Sequence, residues 1–174
     1  SFRSGKTKKF STKDNPKACG LNMTFSIPQE WDYKDGDHAA VIANFGSPDY
    51  PIMLTLTIVD SKPELLSKIK DEYPRKNEDD LIKILKEREK TSGYLEDMNY
   101  KSLELMQSAL TGSSFKYLRS LTIDNVPSFE QIITAKMEVP NGSVDIQSLL
   151  YTIWYDFKIV YLMFAINKQQ ILSN

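Results

Sequence analysis

The sequence predicts an α+β fold in which helices pack on an antiparallel sheet. Two observations lead there. Along the chain, strand-like segments are followed by helix-like segments and then by strands again, an order that segregates the two kinds of element. The last third closes on three apolar runs, residues 129–138, 146–155 and 158–166, joined by short turns, which read as an antiparallel meander in the middle of a sheet. In that meander Leu150, Trp154, Ile159 and Tyr161 alternate with Leu149, Ile153, Val160, Leu162 and Phe164, so neither face is polar and both require cover.

Residues 1–18 are polar, basic and aperiodic and read as a flexible arm ahead of a single domain over 19–174. Residues 20–27 place Leu21, Met23, Phe25 and Ile27 on one face of a half-buried strand, which Pro28 stops; Trp31 then plugs an end of the core. Asp35-Gly36-Asp37 is a turn. Residues 39–45 and 51–59 form a strand pair across Gly46-Ser47-Pro48-Asp49.

The period then changes, and residues 61–111 read as a helical insert. Ser61 and Glu64 fit a capping box with Pro63 in the first turn, and Leu65, Leu66, Ile69 and Tyr73 make one stripe. A second helix starts after Asn77, with Glu78, Asp79 and Asp80 at its positive end and Lys86, Arg88 and Lys90 at its negative end; Leu81, Ile82 and Leu85 are its buried side. The alternating charges of both helices read as solvated faces. Leu103, Met106 and Leu110 suit a third helix, stopped by Gly112. Residues 115–123 are a strand, Asp124-Asn125-Val126-Pro127 and Pro140-Asn141-Gly142-Ser143 are turns, and residues 167–174 end in a short helix capped by Asn167.

At 174 residues, 41% hydrophobic and 26% charged, the chain can bury a core, which argues against disorder. The net charge of −1 gives no global drive toward nucleic acid. Residues 1–17 hold Arg3, Lys6, Lys8, Lys9, Lys13 and Lys17 against Asp14, a balance of +5 that leaves −6 for the remainder. Such an arm is either a solvated leader or a contact for an anionic surface. No stretch reaches the length of a membrane-spanning helix.

Catalytic constellations are scarce. One cysteine, Cys19, and one histidine, His38, rule out the usual zinc spacings, and neither a phosphate-binding glycine loop nor a nucleophile elbow occurs, so no cofactor is expected. Cys19 reads as a buried or strand-edge thiol. Asp35, Asp37 and His38 cluster near Trp31, and Tyr151, Trp154, Tyr155, Tyr161 and Phe164 crowd the last hairpin, where aromatics normally pair across strands. The candidate binding surface is therefore Trp31, Asp37, His38, Trp154 and Tyr155; only Asp37, His38 and Cys19 stand as candidates for any acid–base or nucleophilic step.

Several of these segments resemble the PsbP-like family. Residues 20–31 (GLNMTFSIPQEW) are similar to its opening strand, proline and tryptophan; Asp37-His38 with residues 41–45 (VIANF) to its next strand in bacterial members; residues 121–127 (LTIDNVP) to the short strand and turn before its meander; and residues 155–158 (YDFK) to its final hairpin. The resemblance spans residues 19–166. It implies an α/β/α sandwich around a central antiparallel sheet, and a non-enzymatic binding or assembly module exported to the bacterial periplasm or cell envelope and working through a protein partner. Membrane attachment would be peripheral or through a lipid anchor, although Pro16-Lys17-Ala18 lacks the apolar residue expected before a lipid-modified Cys19. The alternative is a small-ligand carrier or receptor with a pocket between sheet and helices. The insert at 61–111 is long for the family, a glycine often found near 125–127 is absent, and no functional residue of the photosynthetic or Ran-binding members carries over.

Overall fold

The computed structural model describes residues 5–109 and 112–167. Its elements are β1 (Thr7–Ser11), β2 (Thr24–Pro28), β3 (Asp32–Asp35), β4 (Val41–Gly46), β5 (Ile52–Asp60), α1 (Lys62–Glu72), α2 (Glu78–Glu89), α3 (Tyr94–Ala109), β6 (Ser114–Ile123), β7 (Val126–Val139), β8 (Gly142–Tyr155) and β9 (Lys158–Asn167). Seven strands make one antiparallel sheet in the order β3-β4-β5-β9-β8-β7-β6, and β1 and β2 pair as a separate ribbon. The fold is α+β, and the expected meander is β7-β8-β9, inside the sheet. The expected helix over 167–174 has its first residue at the end of β9, and its remainder lies outside the described residues.

Register assigns the faces. Leu54 opposes Phe164, Leu56 opposes Leu162 and Ile58 opposes Val160, which in turn opposes Ile153; this set faces the ribbon. There Ala18, Ile27 and Phe45 complete a core joined by Phe10 and Phe25. On the other face Leu103 of α3 packs with Ile133 and Leu150, and Leu95 and Met98 pack against Phe129, Trp154 and Ile159. A polar seam runs under α3: Asn99 Nδ2 donates to Gln131 Oε1 (3.1 Å), Gln131 Nε2 donates to Thr152 Oγ1 (2.7 Å), and the Ser102 and Tyr161 hydroxyls pair at 3.0 Å. Asn99, Gln131 and Thr152 are fully buried, so these bonds fix where the helix sits.

Residues 7–18 are not a flexible arm. β1 pairs with β2 from Thr7↔Pro28 to Ser11↔Thr24. Phe10 stacks within 5.0 Å of Phe45, 5.4 Å of Phe25 and 5.7 Å of Tyr33. Buried Thr12 donates to Leu21 O (2.6 Å) and accepts from Met23 N (3.0 Å), closing the ribbon. The basic residues are part of the fastening: Lys8 Nζ donates to Trp31 O, and Lys17 Nζ to Gly36 O at 2.8 Å. A 3-10 turn, Pro16–Ala18, leads to Cys19, whose φ is +54° and whose side chain is exposed rather than buried.

The helices follow most of their sequence signals; Tyr73, expected on the buried stripe of α1, is instead its exposed C-cap, and Leu110, expected on the third helix, lies outside the described residues. Asn77 caps α2 by accepting from Asp80 N (2.9 Å). Ser61 does not cap α1; its hydroxyl and its amide N–H both donate to the Phe157 carbonyl, at 2.5 and 2.9 Å. Phe157 is the second residue of the turn between β8 and β9. Asp156 and Phe157 have φ of +46° and +60°, the left-handed pair that matches the twist of a two-residue hairpin. The ring of Phe157 is buried with Ile69, Leu81 and Leu85, joining the turn to α1 and α2.

Two outcomes follow. Phe157→Ala should destabilise by about 3 kcal/mol in urea unfolding, through the cavity left among Ile69, Leu81 and Leu85. Phe157→Gly should destabilise less than Phe157→Ala by up to about 1 kcal/mol, since relief of the left-handed strain outweighs the extra chain entropy of glycine; a glycine variant less stable than the alanine variant would refute the strain. Second, Phe10→Ala should cost about 2 kcal/mol by the same measurement, whereas a free arm would show no change.

Candidate functional site

The turns that join β6 to β7 and β8 to β9 emerge at one end of the sheet, where α2 crosses above them. Asp124 and Asn125, at φ of +49° and +63°, form the first of these turns in the same left-handed pairing as Asp156 and Phe157. Between turns and helix lies a cleft of about 540 Å³. Its apolar surface comes from Leu95, Val126, Pro127 and Trp154, and its charged rim includes Lys83, Lys86 and Lys90. Tyr155 and Asp156 stand on the opposite side.

Helical spacing explains the rim. Lys83, Lys86 and Lys90 recur at three and four residues and share a side of α2, while Leu81 and Leu85 turn toward α1 and Phe157. Lys90 pairs with Glu87 at 3.1 Å, and Asp156 lies 3.6 Å from Lys158. Lys83 and Lys86 have no carboxylate within ion-pair distance among the described residues. Glu89 also lines the cleft. Burial, and then the nearby Asp156 charge, push its carboxyl above the usual range, with Lys86 opposing. Trp154 is 7% exposed, and its indole Nε1–H is buried without an acceptor. An orphaned donor of this kind costs about 1–3 kcal/mol.

Of the five residues expected to form a binding surface, Trp154 and Tyr155 meet in the cleft. The other three do not join them. Trp31 is half-buried against the ribbon-side core, the opposite face from Trp154. Asp37 and His38 are exposed in the β3–β4 turn. That turn is at the same end of the sheet, since Ala40 accepts from Ile58 N near the end of β5, but β4 is three strands away from β8, roughly 14 Å at ordinary strand spacing. Tyr151 and Tyr161 serve structure: the Tyr151 hydroxyl donates to Glu130 (2.5 Å), and Tyr161 bonds Ser102. The lysines of α2 were missed because an alternating charge pattern is normally only a solvated face. Among the described residues no group of three or more His, Cys, Asp or Glu side chains is arranged to hold a metal, and no helix is long and apolar enough to cross a membrane.

This architecture matches a solved one. Over 96% of this chain and 84% of the other, it superposes with a TM-score of 0.52 on the solution structure of cyanobacterial PsbP (CyanoP) from Synechocystis sp. PCC 6803, at 13% identity. The fold is PsbP-like. No protein-family model and no curated protein matches the sequence. Within this PsbP-like fold α2 supplies the charged rim of the cleft, in which Glu87 and Glu89 stand among the lysines.

The cleft has a pH signature. A carboxyl whose folded-state pKa is raised contributes its full stability below the unfolded value and loses it as pH rises through the raised value. Glu89→Gln should therefore stabilise the protein near neutral pH, by less than about 1 kcal/mol because the half-exposed group is screened by solvent. The gain should vanish in acid, where Glu89 is protonated folded and unfolded. Urea midpoints across pH decide it, and a gain that persists in acid would remove the electrostatic explanation.

Proposed function

We propose that this chain is a non-enzymatic binding module of the bacterial cell envelope, exported there, that assembles with a protein partner through the cleft beside α2. The observation that carries the reading is the combination of an apolar floor with Lys83 and Lys86, two ammonium groups without carboxylate partners among the described residues. A partner presenting an apolar side chain flanked by carboxylates would bury the first and pair with the second. Tyr155, 54% exposed at the rim, is one of the residue types enriched among the anchors of such contacts. The PsbP-like fold is compatible with this reading as an analogy of architecture, which by itself assigns no activity.

A second reading has one observation of its own. The cleft volume of about 540 Å³ falls within the range of small-ligand sites, and its position between sheet end and helix is the one expected of a carrier or receptor pocket.

The two readings separate in one pair of experiments. Cross-linked capture from the native envelope should recover a specific protein with the unaltered chain. It should recover about tenfold less with Lys83→Glu/Lys86→Glu, a double reversal at exposed positions that leaves the core untouched. Equal recovery by both would rule out the cleft as the docking site. Native mass spectrometry of the gently purified chain should show no added mass under the protein-partner reading; a bound small molecule lost on Tyr155→Ala would establish the carrier reading instead.

A further inference from the structure

The sheet ends on the α3 side at β6, ten residues long, whose outer edge has no strand partner among the described residues. The opposite edge, β3, has four residues. An outer edge of this length presents a row of backbone N–H and C=O groups whose natural complement is another extended strand. The side chains beside it are sorted by face. Register puts Lys116 opposite Ile132 and Arg119 opposite Glu130, both on the ribbon face of the sheet, and Phe115 opposite Ile133 and Tyr117 opposite Gln131, on the helix face. On the helix face Tyr100 of α3 leans over the edge, with its ring 6.0 Å from Phe115 and 5.3 Å from Tyr117. Tyr100 is 39% exposed, as is Leu118, which a bulge between Tyr117 and Arg119 leaves without a Cα partner in β7. The edge is thus flanked by aromatic rings on one face and by two cations on the other.

We propose that β6 is a strand-addition site for an extended segment of a protein partner, running antiparallel to β6, with apolar side chains against Tyr100 and Tyr117 and acidic side chains against Lys116 and Arg119. Charge selects the occupant. Lys116 has no carboxylate partner among the described residues, and Arg119, although 3.0 Å from Glu130, keeps its side chain 66% exposed. A second copy pairing through β6 about a two-fold axis would bring Lys116 and Arg119 of both chains to the same face along one seam, where like charges repel. An acidic strand meets no such opposition. This surface is separate from the cleft and stands or falls independently of it.

The test uses the full chain, labelled with nitrogen-15, and a short peptide of alternating Glu and Val. Amide resonances of residues 114–123 and of Tyr100 should shift saturably, and β6 amides that were exchanging with solvent should become protected. Lys116→Glu should weaken the peptide about tenfold, and Tyr100→Ala, a partly exposed position that leaves the core intact, about fivefold. A peptide of the same composition with its Glu and Val residues in separate blocks should bind at least about tenfold more weakly, because only the alternating one matches both faces. Lys83→Glu/Lys86→Glu should leave the affinity unchanged. No saturable shift, shifts confined to Trp154 and Tyr155, equal binding of the block peptide, or a dimer that already protects β6 in the absence of peptide would each overturn the proposal.

Discussion

The turn at Asp156 and Phe157 is the joint on which the rest of the structure depends. A one-residue slip there would exchange the two faces of β9 against β8, moving Ile159 and Tyr161 to the ribbon side and Val160 and Leu162 beneath α3. Two left-handed residues, neither of them glycine, hold the turn in place. That conformation carries strain of about 1–2 kcal/mol per residue, and it persists because Phe157 is over-determined. Its ring is packed among α1 and α2, and its carbonyl receives two hydrogen bonds from Ser61. The same contact starts α1. Ser61 gives up the local capping bond that its sequence context offers and uses its hydroxyl for a residue 96 positions away. Turn, sheet register and helix direction are thus set by one residue.

The β5–β9 ladder then unites parts of the chain that have no local reason to meet. Nine residue pairs, from Ile52↔Ile166 to Asp60↔Lys158, connect the early hairpin to the late meander. Closure entropy grows only logarithmically with loop length, so three helices can lie between those strands without much added cost. The intervening chain has to return across a face of the sheet. The apolar residues Phe129, Leu150, Trp154 and Ile159 on that face give α3 its seat. The buried line Asn99–Gln131–Thr152 restricts the seat further, since sliding the helix by a turn would strip partners from fully buried polar groups.

What could be read in the sequence was local. Apolar runs bounded by turn signals found β4, β5 and the meander, turn residues found the junctions at 124–127 and 156–157, and Asn77 marked the start of α2. Long-range or sparse signals were lost. Thr7–Ser11 offers one aromatic residue among lysines, so its strand character depends on Phe25, Tyr33 and Phe45, which surround Phe10 only after folding. The stretch Asp32–Asp35 is exposed along its length and owes its extended form to pairing with β4. Cys19 looked apolar by type but occupies a left-handed exit from a turn. The candidate site was half legible. Trp154 and Tyr155 stood out as aromatics at a hairpin end, but the lysines that complete the cleft carry no mark distinguishing them from an ordinary solvated helix face, and strand order, which separates His38 from Trp154, is not written in any single segment.

A covered antiparallel sheet has few places where another molecule can gain a foothold. Its faces are occupied, here by the ribbon toward one end and by α3 toward the other. Besides Met53 and Val59 on β5, which stay partly exposed, what remains open includes the end where turns emerge and the edge where pairing stops. In this chain both places carry side chains with spare capacity: Lys83 and Lys86 at the cleft and Lys116 along β6 make no ion pair among the described residues, and Tyr100, though stacked on Phe115 and Tyr117, keeps 39% of its surface exposed. The three lysines are not needed to close a core, because the buried sides of α2 and α3 are supplied by Leu81, Leu85 and Leu103. Charge at these sites can therefore change without a matching change in stability. That independence is what a binding module requires if the same scaffold is to serve different partners, and it makes mutations at these positions informative about recognition rather than folding.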